Sequence, residues 1–571
     1  MGRKVKVLLV ARYYIIEPLG LLHLAGLASS LGCEVDVELI PNNDFTGLYR
    51  RVNEWSPDFV GFQIWTGWHK QTFAACDSVR IMGPQVIIGG PHVTFFTEEC
   101  TRHADFVVRG DGFRNFRRIL QGEIGPGIHF DTEQLAEGFP MPNRSIVYDK
   151  YPVLRNSFIR SVIASIGCPF GCFYCYGRKW NEMYGGFHHT QRPMDDIIRE
   201  GIEIRDRWGA KLIYFQDDVF GLDHKEWLPE FSRRWRKEIG IPFHCQIRLE
   251  LTRGHAGDKR LDLFKEAGCT GLTVAIESGD AFLREYVLNR PMPDALILEG
   301  CAKIRSRGMT LRTEQILAVP FSNLKTDLST LRLNCQIDPE MAWTSILSPY
   351  GGTEIDRIAK SFGFYNGTND EFEESFFDRS VLHHSETARE VIGVVMNGME
   401  GKKKQLADLA PLCQIEFMDD KANARYKEQI IIHQRLFNWL SKVPQGDVLA
   451  EKFLMLPKEQ WTWEMLGEMT WQHLESLGMG EKARRWVQEL THAMGYSSFG
   501  ELPEVVREHP YYFVFFPSSA EFAQHVVDTG ALDNHVPVGL KFDRIWAVAR
   551  RWLFTYSLYR VEKSTKPIAQ Y

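Results

Sequence analysis

The run Ser165-Ile-Gly-Cys-Pro-Phe-Gly-Cys-Phe-Tyr-Cys-Tyr176 constrains this chain more than any other feature. Cys168, Cys172 and Cys175 stand as C-x3-C-x2-C, with Tyr174 before the last, and no other cysteine occurs between Cys100 and Cys245. A closed structural zinc site takes four ligands, usually as two paired knuckles. Here the local fourth ligand is absent. Three thiolates on an iron–sulfur cubane instead leave one iron free to bind a substrate or cofactor. A zinc loop, or chance spacing of buried thiols, is the alternative reading of the same residues.

Around this loop the chain alternates strand and helix in two series. At 571 residues, three or four domains are expected on a prior of ~150 residues each. The first series predicts an α/β, doubly wound, Rossmann-like domain over about residues 1–145. Its strands are Val5–Val10, Val35–Ile40, Asp58–Ile64, Val86–Gly90 and Asp105–Gly110, with a helix opening at Pro18. Ligands of such sheets sit outside the carboxyl ends of the strands, here 63–69, 89–92 and 110–112.

After Pro140, Pro142 and Pro152, a second series begins. Its strands are Ser161–Ser165, Lys211–Gln216, His244–Arg248, Leu272–Ile276, Leu311–Val319 and Thr344–Leu347. Six β/α repeats over residues 155–375 predict a partial (β/α)6 TIM-type barrel with polar residues at the strand ends. From about Ser385 the alternation stops, and residues 385–571 read as a mainly helical domain rich in tryptophan. The amphipathic stretch Lys541–Arg560, with Trp546, Trp552 and Tyr559, reads as a packed terminal helix before it reads as a membrane contact.

Composition excludes several classes. A net charge of −6 gives no reason to expect nucleic acid, and no apolar run approaches the ~20 residues of a membrane span. The start lacks an apolar signal core, and the eleven cysteines are scattered in apolar contexts, so a cytoplasmic location is expected.

Taken with its flanks, the cysteine loop resembles the radical S-adenosylmethionine (SAM) superfamily, whose [4Fe–4S] cluster is held this way. Ser165–Pro169, Tyr214-Phe-Gln-Asp-Asp218, Ile276-Glu-Ser-Gly279 and the turn at Pro349 and Gly352-Thr353 match superfamily runs in order. Upstream, Pro18-Leu-Gly-Leu-Leu-His-Leu-Ala25, Ile87-Ile-Gly-Gly-Pro-His92 and Asp105-Phe-Val-Val-Arg-Gly-Asp-Gly112 resemble the cobalamin-binding domain of class B members. Asp111 and Phe113 depart from the usual Gly-Glu-Gly-Glu, and Ala318-Val-Pro320 departs from Gly-x-Pro. The similarity spans roughly residues 1–360.

The resemblance implies three cofactors: a [4Fe–4S] cluster on Cys168, Cys172 and Cys175, SAM, and cobalamin. It implies SAM contacts at Tyr174, Asp217, Arg248, Glu277, Ser278 and Arg312, with Tyr174 near the adenine and Arg248 or Arg312 on the carboxylate. Glu277 would accept from the amino group or ribose, or occupy the free iron. Asp217 is equally readable as a helix cap. Cobalamin contacts would be Gln63, Trp65, Thr66, Trp68, Gly89, Gly90, Pro91, His92, Gly110, Asp111 and Gly112. The D-x-H-x-x-G signature is absent from this part of the chain; the near match at Asp533–Gly539 has one residue too many. Trp65 or Trp68 would then cover the lower corrin face, unless both are interface packing or His69 is a cobalt ligand.

The reaction implied is transfer of a methyl group from SAM, via methylcobalamin, to an unactivated carbon of a small-molecule or peptide substrate. An external electron donor of flavodoxin or ferredoxin type would drive it. A radical cyclase or rearrangement enzyme with the same cofactors is the alternative. A methylthiotransferase or zinc protein binding RNA, and a non-catalytic cobalamin or SAM sensor, are readings of other classes. The helical region, matching nothing known, is expected to close over the barrel mouth and select the substrate.

Overall fold

A computed structural model describes residues 3–13, 17–133, 139–373, 377–398, 405–516, 518–533, 535 and 538–558. Tyr559 and Arg560 therefore lie outside the described residues.

The first sheet contains β1 (Lys6–Arg12), β2 (Glu34–Ile40), β3 (Phe59–Gln63), β4 (Gln85–Gly89), β5 (Phe106–Arg109) and β6 (Gly127–Phe130). All pairs are parallel, in the order β2-β1-β3-β4-β5-β6. The first five were expected. β6 was not, because it is a short, largely exposed edge strand without an apolar run. Strand order reverses between β1 and β3, which opens the crevice where such sheets bind ligands. Two apolar cores cover the faces, as a sheet of central Val/Ile/Leu strands requires.

The second sheet contains β7 (Ile159–Val162), β10 (Leu212–Phe215), β11 (Phe243–Ile247), β12 (Cys269–Glu277), β13 (Thr310–Leu317) and β14 (Met341–Ile346). These pair in parallel in chain order as a curled partial barrel. Between β7 and β10, the short strands β8 (Ser165–Ile166) and β9 (Thr190–Gln191) pair antiparallel and bracket the cysteine loop.

A buried charge network ties the two sheets together. Arg144 reaches Glu17 at 2.9 Å and Glu200 at 2.5 Å, and Arg192 reaches Glu200 at 2.6 Å. Glu17 also accepts the Ser161 N–H of β7 at 2.5 Å.

The helices after residue 385 pack on the barrel, and Ala388 and Ile392 share a core with Leu283, Leu347 and Tyr350 beyond the carboxyl ends of the strands. The helix Asp420–Leu440 lies along β14, the open edge of the barrel sheet. Asn438 accepts the Ala342 N–H at 2.6 Å, and Gln434 donates to the Thr344 carbonyl at 3.0 Å. Side-chain amides thus satisfy a strand edge that would otherwise be unpaired. One apolar core runs from Leu317, Leu331 and Ile346 through Phe437 and Trp463 to Phe542 and Leu553. The region thus shares its apolar cores with the barrel.

Candidate functional site

The cysteine loop is shaped by contacts its own sequence explains. Gly167 has φ +106°, and a Cβ there would lie 2.2 Å from the His188 carbonyl oxygen, so only glycine makes this turn. Asp217 accepts the Ala164 N–H at 2.9 Å and the Ser165 hydroxyl at 2.6 Å, while Asp218 accepts the Gly167 N–H at 3.1 Å. Asn289 and Asn181 donate to the carbonyls of Gly171 (2.7 Å) and Cys168 (2.9 Å). Burial pushes the Cys168 thiol up to about 11. A bound cation there would favour the thiolate. Among the described residues no three donors converge as one metal ion would require. All three thiols instead border an open cavity, a donor set that fits a polynuclear cluster.

Beside the loop stands a tight polar group. Arg248 donates to the Cys172 sulfur at 2.9 Å and pairs with Glu250. The Tyr174 hydroxyl donates to Glu277, and Arg290 reaches Glu277 at 3.2 Å, the Tyr174 oxygen at 3.3 Å and the Ala275 carbonyl at 2.6 Å. Burial pushes the Glu277 carboxyl upward, and Arg290 opposes that push. Glu277 has φ +65°, where β12 slips its register against β13. A non-glycine residue held there is strained backbone, a state that surrounding contacts must enforce. Arg290 escaped the sequence reading because it belongs to neither a strand end nor a motif; it follows a π-helical turn, Leu283–Val287.

On the other side the carboxyl ends of the first sheet face this group. Gln63, Gly89, Gly90, Pro91, Gly110, Asp111 and Gly112 border the same cavity as the cysteines. Gly90 has φ +105°, with Ile64 backbone atoms 2.9 and 3.0 Å from where a Cβ would stand. Leu9, Leu21, Leu24, Ile87, Phe113 and Phe116 extend the wall into an apolar slot between the sheet and two helices, Leu19–Ser30 and Phe113–Leu120. A large, flat macrocycle with a heterocyclic tail fits such a slot. Burial raises the Asp111 carboxyl to about 6.

The cavity occupies about 950 Å³ and joins both halves. Several expected contacts lie elsewhere. Trp68 is buried against Phe45, with its indole N–H on Asn43 at 2.5 Å, and so packs a core. Trp65 is 45% exposed and outside the cavity wall. His92 is buried between Thr66 (3.0 Å) and Glu99 (2.7 Å), and this contact engages the Thr66 hydroxyl as well. His69 accepts the Gly67 N–H at 3.1 Å and donates to Asp370 at 3.0 Å, leaving neither ring nitrogen for cobalt. Asp217, bonded to Ala164 and Ser165, is a strut of the cysteine loop. Ser278 is buried off the cavity, its hydroxyl accepting from the Asp280 N–H at 3.2 Å. Arg312 borders the cavity, paired with Glu314 at 2.8 Å.

A doubly wound sheet facing a three-cysteine barrel loop defines a class, the corrin-binding iron–sulfur enzymes. Comparison with known proteins agrees. The B12 binding domain family matches residues 5–120, and the Radical SAM superfamily matches residues 162–333. The chain belongs to the cobalamin-dependent radical SAM family, whose cofactors are a [4Fe–4S] cluster, SAM and cobalamin.

Among curated proteins, an uncharacterized methyltransferase of Pyrococcus horikoshii is 24% identical over 372 residues, covering 59% of this chain and 77% of that protein. The bacteriochlorophyllide d C-12(1)-methyltransferase of Chlorobaculum tepidum is 23% identical over 267 residues, 43% of this chain and 56% of that protein. Among solved structures, the cobalamin-dependent SAM radical enzyme OxsB aligns over 97% of this chain and 84% of its own, with TM-score 0.53 and 12% identity. The radical SAM methyltransferase TsrM from Kitasatospora setae aligns over 64% and 76%, with TM-score 0.52 and 16% identity. At these identities the structural likeness concerns the fold. Among the described residues, no helix is long and apolar enough to cross a membrane.

Proposed function

We propose that this protein transfers a methyl group from SAM, by way of cobalamin, to an unactivated carbon of a small-molecule or peptide substrate. The observation that carries the reading is the single cavity in which Gly89-Gly90 and Gly110–Gly112 face the three cysteines. When bound, cobalamin supplies a methyl carrier and the cluster supplies the electron that breaks the C5′–S bond of SAM. The activities of similar proteins support this, since these include methyltransferases of bacteriochlorophyllide d and of a cytidylyl-2-hydroxyethylphosphonate.

The chain's own residues contribute orientation and exclusion of water. Arg248 and Arg290 form the cationic side of the upper cavity and receive a carboxylate there. Glu277, pinned by Tyr174 and Arg290, accepts from an amino or ribose group and is not free to swing toward iron. Phe95 stacks on Tyr176 at 4.0 Å, and Tyr350 adds a third ring at 5.6 Å, closing the seam between the two sheets. Tyr184 accepts the Asp111 N–H at 3.3 Å and so braces the cobalamin-side turn from the cysteine-loop side. An external electron donor completes the system.

Anaerobic loading with iron, sulfide and cobalamin, followed by reduction with SAM, tests this reading. Formation of 5′-deoxyadenosine, methionine and S-adenosylhomocysteine is expected. 5′-Deoxyadenosine without any S-adenosylhomocysteine would favour the cyclase class instead.

A further inference from the structure

Below Glu277, Tyr174 and Arg290 the cavity continues down the inside of the barrel. Thr273 and Ala275 of β12, Arg312 and Glu314 of β13, and Trp343 and Ser345 of β14 point into it, as the two-residue period of a strand requires. Arg312 is 5% exposed and donates to Glu314 at 2.8 Å. Its guanidinium lies 4.9 Å from the Trp343 ring and 5.3 Å from Phe554 on the C-terminal helix, with the Tyr214 hydroxyl at 3.5 Å. Phe554 thus supports the floor of this chamber.

Register fixes the depth. Arg312 pairs with Thr273, whereas Glu277 pairs with Gln315 three residues further along. At ~3.3 Å per residue, the two levels are about 10 Å apart. A methionine moiety held at the cluster meets Arg248 and Arg290, and leaves Arg312 unused. The other charged residues of the wall, Asp111, Asp218, Arg248, Glu277 and Arg290, stand at strand ends or in loops.

We propose that the Arg312–Glu314 pair recognises the substrate, and that the substrate is a small zwitterion of the amino-acid type with a flat apolar portion. This rests on the cofactor reading, which places SAM at the upper level. A guanidinium fork suits a carboxylate. Glu314, with 31% of its side chain exposed, accepts the ammonium. A cation would leave the buried Arg312 unmatched and an anion would leave Glu314 without its partner, whereas a zwitterion replaces one ion pair with two. The rings of Trp343 and Tyr214 supply the flat wall.

The test uses protein loaded with cluster and cobalamin. Thermal-shift titration with the proteinogenic L-amino acids identifies the best binder, and its matched amine and matched acid are then compared. Binding of an amino acid with a planar side chain is expected. Its affinity falls about tenfold or more in Arg312→Gln and in Glu314→Gln, the scale of a lost hydrogen bond to a charged group. The matched amine loses nothing further in Arg312→Gln, and the matched acid nothing further in Glu314→Gln. SAM affinity stays at the wild-type value in Arg312→Gln.

Absence of any amino-acid binding to loaded wild-type protein overturns the proposal. Equal binding of amine, acid and zwitterion to the wild type overturns it without recourse to variants. Weakened SAM binding in Arg312→Gln would overturn it too, by assigning that residue to SAM. Failure of the wild type to load iron or cobalamin overturns the cofactor reading itself, and is scored separately by metal analysis.

Discussion

Arg248 donates a hydrogen bond to the sulfur of Cys172 across 2.9 Å, with its guanidinium 3.9 Å from the Phe170 ring. A cationic donor on a cluster sulfur favours the more negative, reduced state, because charge and hydrogen bonding to the sulfurs set the potential. Arg248→Gln should therefore load iron normally and shift the reduction potential downward by several tens of millivolts. A redox titration monitored at the cluster absorbance checks this. An unchanged or higher potential would contradict the role.

Gly90 separates the two cofactors experimentally. Its φ of +105°, and the Ile64 oxygen 2.9 Å from where a Cβ would stand, leave no room for a side chain. Gly90→Ala should displace the turn at the end of β4 and abolish cobalamin retention, while iron content stays near wild type. Retention of both cofactors at full stoichiometry would remove this turn from the corrin site.

The buried network between the sheets has a defined pH signature. Burial pushes the Glu200 carboxyl up, but Arg192 and Arg144 outweigh it and hold Glu200 at about 2. A folded-state value below the ordinary 4.5 means the stabilisation is complete above that value. It is lost as pH falls from about 4.5 through about 2. Glu200→Gln leaves two buried guanidiniums without their shared carboxylate and should cost about 3–5 kcal/mol at neutral pH. That cost should shrink at pH 3, as denaturant titrations at both values would show. An equal cost at both would mean that the carboxylate charge is not what matters.

The helical region should not be separable. Truncation before Asp420 removes Gln434 and Asn438 from the edge of β14 and uncovers Leu317, Leu331 and Ile346. The expected outcome is insoluble protein, since an exposed apolar strand edge invites aggregation. A soluble, cofactor-loaded truncation, measured by sedimentation and metal content, would contradict this.

Local features were readable from sequence, and long-range ones were not. The cysteine spacing, the glycines after β4 and β5, and both alternating series depend on neighbours within a few residues, so pattern exposes them. Trp68 shows the limit: a tryptophan in a ligand-side loop looks available, yet Asn43 and Phe45 draw it into a core. Arg290 shows the converse. Its place beside Glu277 comes from a π-helical turn and a slipped strand register, neither of which leaves a sequence signal. Arg312 sits on the expected strand, but only the register shows how far it lies below Glu277. The C-terminal helices were legible as helices, while their partner, the open edge of β14, was not.

The central claim is a three-thiolate cluster with a vacant iron sharing a chamber with cobalamin. Electron paramagnetic resonance of the anaerobically loaded, reduced protein, recorded with and without SAM and alongside metal counts, tests it most directly. About four irons and one cobalt per chain are expected, with a cluster signal whose g values move when SAM binds the open iron. A protein that holds zinc, or whose cluster signal is untouched by SAM, would contradict it.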